Sequence, residues 1–137
     1  MEMEIEESLI RVQTAYPRIY LACHSRHQNT RTNEISQRDG ALLAHLDGSR
    51  PTAQSELARH MGVAKSTLSE ALSSLEERGF VARDEAGILR TAKGTEAMSN
   101  GSVLEPELLR RLLGLLSEEE RRRAVDGLEL LARAAER

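Results

Sequence analysis

Between two stretches of helical periodicity, residues 53–60 and 64–78, stand only three residues, Met61-Gly62-Val63. Such a link is too short for anything but a sharp turn, so the two helices must cross closely. Leu57 and Ala58 mark the inward side of the first helix, and Leu68, Leu72 and Leu75 that of the second. Gly62 permits the tight turn, and Val63 with Leu68 wedges the second helix across the first. Gly79 suits the left-handed residue that closes a helix. Beyond it, residues 80–83 and 88–91 read as two short strands, joined by Asp84-Glu85-Ala86-Gly87 as a hairpin turn.

The flanks read as helix. Ile5, Leu9, Val12, Tyr16, Ile19, Tyr20 and Cys23 recur at steps of three and four, which predicts an amphipathic helix over roughly 4–30, kinked at Pro17 or starting near Tyr16. Ser36, three residues before Asp39, predicts the N-cap of a helix carrying Ala41, Leu42, Leu43 and Leu46, which Gly48 and Pro51 end. A further helix begins near Ala92 and breaks around Asn100-Gly101-Ser102 and Pro106. Leucines 108, 109, 112, 113, 115 and 116 follow, and Ser117-Glu118-Glu119-Glu120 is a capping box opening a last helix with Val125, Leu128 and Leu131. Aromatic residues are only 2% of the 137, which argues against an all-β fold. The expectation is one domain, mainly α with a small β-hairpin wing.

Helix, short turn, helix and hairpin in that order is the winged helix-turn-helix arrangement. The second helix presents Lys65, Ser66, Thr67, Ser69, Glu70 and Ser73 outward. Five Ser or Thr among residues 66–74 are mediocre helix formers, and close approach to DNA gives a reason to keep that face small and polar. Leu57-Ala58, Gly62-Val63, Ser66-Thr67-Leu68-Ser69 and Leu75-Glu76-Glu77-Arg78-Gly79 resemble the helix-turn-helix pattern of the MarR family of bacterial transcription factors. Thr91-Ala92-Lys93-Gly94 is similar to the family's segment after the wing, and Leu116-Ser117-Glu118-Glu119-Glu120 to its final helix start.

The resemblance implies a homodimer, with residues 1–34 and 92–137 as dimerisation helices around a winged helix-turn-helix at 35–91. It implies double-stranded DNA with a pseudo-palindromic operator as partner, and a repressor relieved by a small-molecule effector or stress signal. Candidate DNA contacts are Ser55, Lys65, Ser66, Thr67, Ser69, Glu70, Ser73, Arg83 and Arg90. The chain departs from the family in its short acidic wing, and in Ala64 where a serine usually caps the second helix, a task left to Ser66 or Thr67. A winged-helix protein with weak DNA binding, acting through protein–protein contacts, is the competing expectation.

Net charge is −3, so no whole-chain basic excess announces a nucleic-acid partner. Its distribution is uneven: Glu2, Glu4, Glu6 and Glu7 meet no base in the first ten residues. Arg11, Arg18, Arg26, Arg31 and Arg38 then face Glu34 alone. Tyr16, Tyr20, Cys23, His24 and His27 cluster on the first helix and allow three readings: lining of core or cleft, a thiol or ligand sensor, or a metal site. On that helix Cys23 and His27 would share a face. His45 and His60 lie in other elements, so no metal or cofactor is expected. No catalytic set is visible, and an enzyme is not expected. One cysteine, no apolar run near 20 residues and an acidic start without signal-peptide character lead to a cytoplasmic expectation.

Overall fold

A computed structural model describes residues 3–24 and 35–136. Seven helices and one hairpin follow in chain order among them: α1 (Ile5–Cys23), α2 (Gln37–Ala44), α3 (Gln54–Met61), α4 (Lys65–Glu77), β1 (Val81–Asp84), β2 (Gly87–Arg90), α5 (Ala92–Asn100), α6 (Pro106–Gly114) and α7 (Glu118–Ala135). This is the expected winged helix-turn-helix with flanking helices. Hydroxyl caps open three of the helices. Ser36 accepts from the Asp39 N–H, Thr91 from Gly94, and Ser117 from Glu120 in a complete capping box. The Ser117 backbone N–H, with its hydroxyl, holds the Glu120 carboxyl below the usual carboxylate range.

The core is a single cluster. Ile35, Leu42, Leu43 and Leu46 come from in and around α2, Leu57 and Ala58 from α3, Leu68, Leu72 and Leu75 from α4, and Phe80, Val81 and Ile88 from the hairpin. Gly62 takes the left-handed conformation, φ 64°, between α3 and α4, as the short turn requires. The hairpin is tighter than expected: Asp84 pairs with Gly87, so only Glu85 and Ala86 form the loop. The Asp84 carboxylate shapes it by accepting from the Ala86 and Gly87 N–H groups. Thr52 adds a bridge to Ile88, with reciprocal backbone bonds of 3.0 and 2.9 Å, and ties the linker before α3 to the wing.

Phe80 joins the end of α4 to the start of α5. Its ring lies under the Arg78 guanidinium and the Lys93 ammonium, at 4.9 and 5.1 Å. Its carbonyl accepts from Thr91, and α5 passes so close that a side chain on Gly94 would strike that carbonyl.

The first helix differs from expectation at both marks. It runs unbroken through Pro17, whose missing N–H leaves the carbonyl of the exposed residue Gln13 without its helical donor. It stops at Cys23 instead of near residue 30. His24 is extended and bridges Leu104, and the Cys23 carbonyl accepts from Glu105 at 2.7 Å. Pro106 does not kink a helix but starts one, where its missing N–H costs nothing.

Outside the core cluster, α1, α6 and α7 bury only Cys23. Ile5, Leu9, Val12, Leu128 and Leu131 are exposed on the single chain. The end of α7 reaches α2 and α3 through Glu136, whose carboxylate lies 3.4 Å from His45 and 3.8 Å from His60.

The close approach at Gly94 sets a test. Gly94→Ala should lower the unfolding free energy by about 1–3 kcal/mol, as overpacking against backbone does. Gly40→Ala, whose added carbon meets only Ile35 Cδ1 at 3.6 Å, should leave stability unchanged or raise it by up to about 1 kcal/mol. Urea denaturation of both variants measures the contrast.

Candidate nucleic-acid interface

The leucine stripe of α4 determines what the other side shows. With Leu68, Leu72 and Leu75 buried, Lys65, Ser66, Glu70 and Ser73 are exposed, while Thr67 and Ser69 stand half-buried at the flanks. Ser55 is exposed in the first turn of α3. These residues therefore share the side of the helix-turn-helix that faces away from the core. Ala53 and Ala64 precede α3 and α4 without any side-chain cap, so neither Ser66 nor Thr67 takes over that task. The first-turn N–H groups of both helices stay open to an outside acceptor.

The two wing arginines behave differently from one another. Arg83 leans back on α4: its Nη2 donates to Ser73 Oγ at 3.0 Å. Its Nε lies 3.3 Å from Glu76 in an ion pair without hydrogen-bond alignment. Arg90 points inward. Its guanidinium donates to the Leu43 carbonyl and to Thr95 Oγ1, both at 2.9 Å, and touches Met98 Sδ. Sequence reasoning put Arg90 at the DNA surface because a cation beside a wing resembles a phosphate contact; the structure places it as a tie between β2, α2 and α5. The wing tip carries Asp84 and Glu85, both exposed.

Residues 35–85, which hold α2, the helix-turn-helix and the first strand of the hairpin, match the MarR family model. This segment belongs to the MarR family. A MarR-like transcriptional regulator from Thermotoga maritima shares the fold over 99% of both chains, at 20% identity and a TM-score of 0.50. A MarR family protein of Mycobacterium tuberculosis, solved in complex with DNA, aligns over 95% of this chain and 98% of its own, at 24% identity and a TM-score of 0.48. A Sulfolobus solfataricus protein described as hypothetical is 28% identical over 47% of this chain, at a TM-score of 0.45; the match spans about half, 54%, of that protein. The comparison with curated proteins gives no match.

Outside the MarR-family segment, the cluster on α1 divides. Tyr20 stacks on His24 at 5.2 Å between ring centroids, and His24 Nδ1 lies 3.1 Å from the Tyr20 carbonyl. Cys23 is 1% exposed, whereas Tyr16 is exposed to solvent. Because α1 ends at Cys23, the helical face expected to unite Cys23 with His27 does not extend that far; His27 itself lies outside the described residues. No group of three or more His, Cys, Asp or Glu among the described residues could hold a metal ion. No helix among them is long and apolar enough to cross a membrane.

A cavity of about 750 Å³ opens elsewhere, between α2 and the α5–α6 connection. Ile35, Gly40, Ala44, Met98, Val103 and Leu109 line it, and none of its lining side chains is charged. None of Tyr16, Tyr20, Cys23 or His24 reaches it. Sequence reasoning missed these residues, although Gly40, Ala41 and Ala44 give one side of α2 unusually small side chains.

The arginine geometry makes a prediction about the wing. Arg90→Ala should lower the unfolding free energy by about 2 kcal/mol, because half-buried charge-assisted bonds are lost. Arg83→Ala, with its more exposed partners, should cost below about 1 kcal/mol. Chemical denaturation of the two variants separates them.

Proposed function

We propose that this chain is a sequence-specific, double-stranded-DNA-binding transcriptional regulator that acts as a cytoplasmic homodimer. The observation that carries the reading is the outward face of α4, polar along its length and rich in short side chains, beside an α3 and α4 whose first turns lack side-chain caps. Short polar side chains let a helix sit deep in the major groove, and open N–H groups take phosphate oxygens. Ser55, Lys65, Ser66, Thr67, Ser69, Glu70 and Ser73 form the proposed contact set, with Arg83 at its edge and Arg90 left out.

The dimer is supported by what α1, α6 and α7 leave uncovered. Ile5 is 82% exposed, and Leu9, Val12, Leu128 and Leu131 are each near half exposed, along helices that add nothing to the core cluster. A second copy offers the matching surface, and two-fold symmetry then sets two recognition helices about 34 Å apart, over a pseudo-palindrome. The chain acts as a repressor that a small molecule releases. The effector's seat is the uncharged cavity between α2 and the α5–α6 connection, not the tyrosine–cysteine–histidine row. A ligand bound there weakens DNA binding to the extent that it favours a wider spacing of the two recognition helices.

Two measurements test the reading. Lys65 is exposed and makes no ion pair among the described residues. Lys65→Ala should weaken binding to all duplexes several-fold and lower the salt slope of the affinity by about one. An unchanged slope removes Lys65 from the interface. In sedimentation, the wild type should run at twice its sequence mass, and the Leu128→Asp, Leu131→Asp double variant as a monomer. A monomeric wild type at micromolar concentration rejects the dimer.

A further inference from the structure

One side chain on the outward face of α4 differs in chemistry from its neighbours. Ser66, Glu70, Ser73 and Glu77 follow at steps of four, three and four, and all are exposed. Their line runs opposite the leucine stripe, since about 200° of helical rotation separates Glu70 from buried Leu72. A serine hydroxyl both donates and accepts, so it meets most base edges without choosing among them. Ser73 is also occupied, accepting from Arg83. Glu77 sits in the last turn, away from the N-terminal part of a recognition helix that reaches base edges.

Glu70 remains. It stands in the second turn of α4, and a carboxylate only accepts. The residues three and four positions away are Ser66, Thr67, Ser73 and Ser74, so no cation of its own helix neutralises it. Among the described residues it makes no hydrogen bond or ion pair. A carboxylate pressed against phosphate, or against the O6 and N7 acceptors of guanine, is repelled and loses its water. Only cytosine N4 and adenine N6 donate in the major groove. Adenine sets its N7 acceptor beside N6, where it opposes the second carboxylate oxygen, whereas cytosine has only a C–H beside its amino group.

We propose that Glu70 is the specificity-determining residue of the recognition helix, accepting a hydrogen bond from the N4 amino group of one cytosine in each half-site. The inference rests on the DNA-binding reading above. Lys65, five residues earlier, supplies attraction without choice, and Glu70 supplies choice at some loss of general affinity.

The experiment is selection from a library of duplexes with a random core, followed by titration of the selected duplex and its single-base-pair variants. The wild-type dimer should enrich a C·G pair at one position of each half-site and prefer it about tenfold over the other pairs. Glu70→Ala should lose the preference there alone, keep the rest of the selected sequence, and bind random duplex more tightly. Glu70→Gln should move the preference toward adenine, whose N6 and N7 match an amide. A Glu70→Ala protein that selects the wild-type sequence overturns the inference and leaves the regulator reading standing; so does a Glu70-dependent preference for any base other than cytosine. A wild type that enriches no sequence overturns the regulator reading, and this inference with it.

Discussion

Three leucines on one side of α4 fix what its other side can do. Leu68, Leu72 and Leu75 are each at most 1% exposed and pack into the cluster that holds Leu43, Leu57 and Phe80. Burying such a side chain is worth about 1.5–3 kcal/mol, so rotating α4 enough to expose them would cost most of a small domain's stability. The outward line from Ser66 to Glu77 is held by that cost and by almost nothing else, since its own residues make few contacts. The polar face is thus placed from behind. This suits a surface that must meet a partner without first breaking internal bonds.

The same economy runs through the turn and the wing. Gly62 allows α3 and α4 to cross within a few residues, the Thr52–Ile88 bridge pins the hairpin to the linker before α3, and Arg90 locks the hairpin's last strand to α2 and α5. Arg83 and Glu76 then brace the wing against the end of α4. These ties make the helix-turn-helix and its wing one packed unit, with the exposed acids of the tip, Asp84 and Glu85, at its edge.

Much of this was legible in the residues alone, because the signals were local. A serine three residues before an acid marks a cap whatever surrounds it, and Ser36 and Ser117 cap as their spacing predicts. Leucines at helical steps on either side of a three-residue link fix a helical crossing, and Gly62 and Gly79 take the left-handed conformation that their positions call for. What stayed hidden depends on distant parts of the chain. The end of α1 is set by its bridge to Leu104, eighty residues on, and periodicity carries no trace of that. The inward turn of Arg90 depends on a carbonyl of α2, and a charge in a sequence has no direction. The cavity exists because small residues of α2 face a connection whose path no local rule predicts.

The placement of the core has one more consequence. All twelve residues of the core cluster lie between Ile35 and Ile88, so the winged helix-turn-helix half folds on interactions within one chain. The flanking helices hold apolar rows with no cover of their own. In the proposed dimer the burial of those rows is a second-order process, governed by mass action, while the middle of the same chain folds by a first-order one. Dilution of that dimer then uncovers the apolar rows and leaves the core cluster as it is. In that proposed dimer the copy number of the protein in a cell also sets what fraction of the chains have their flanking rows covered.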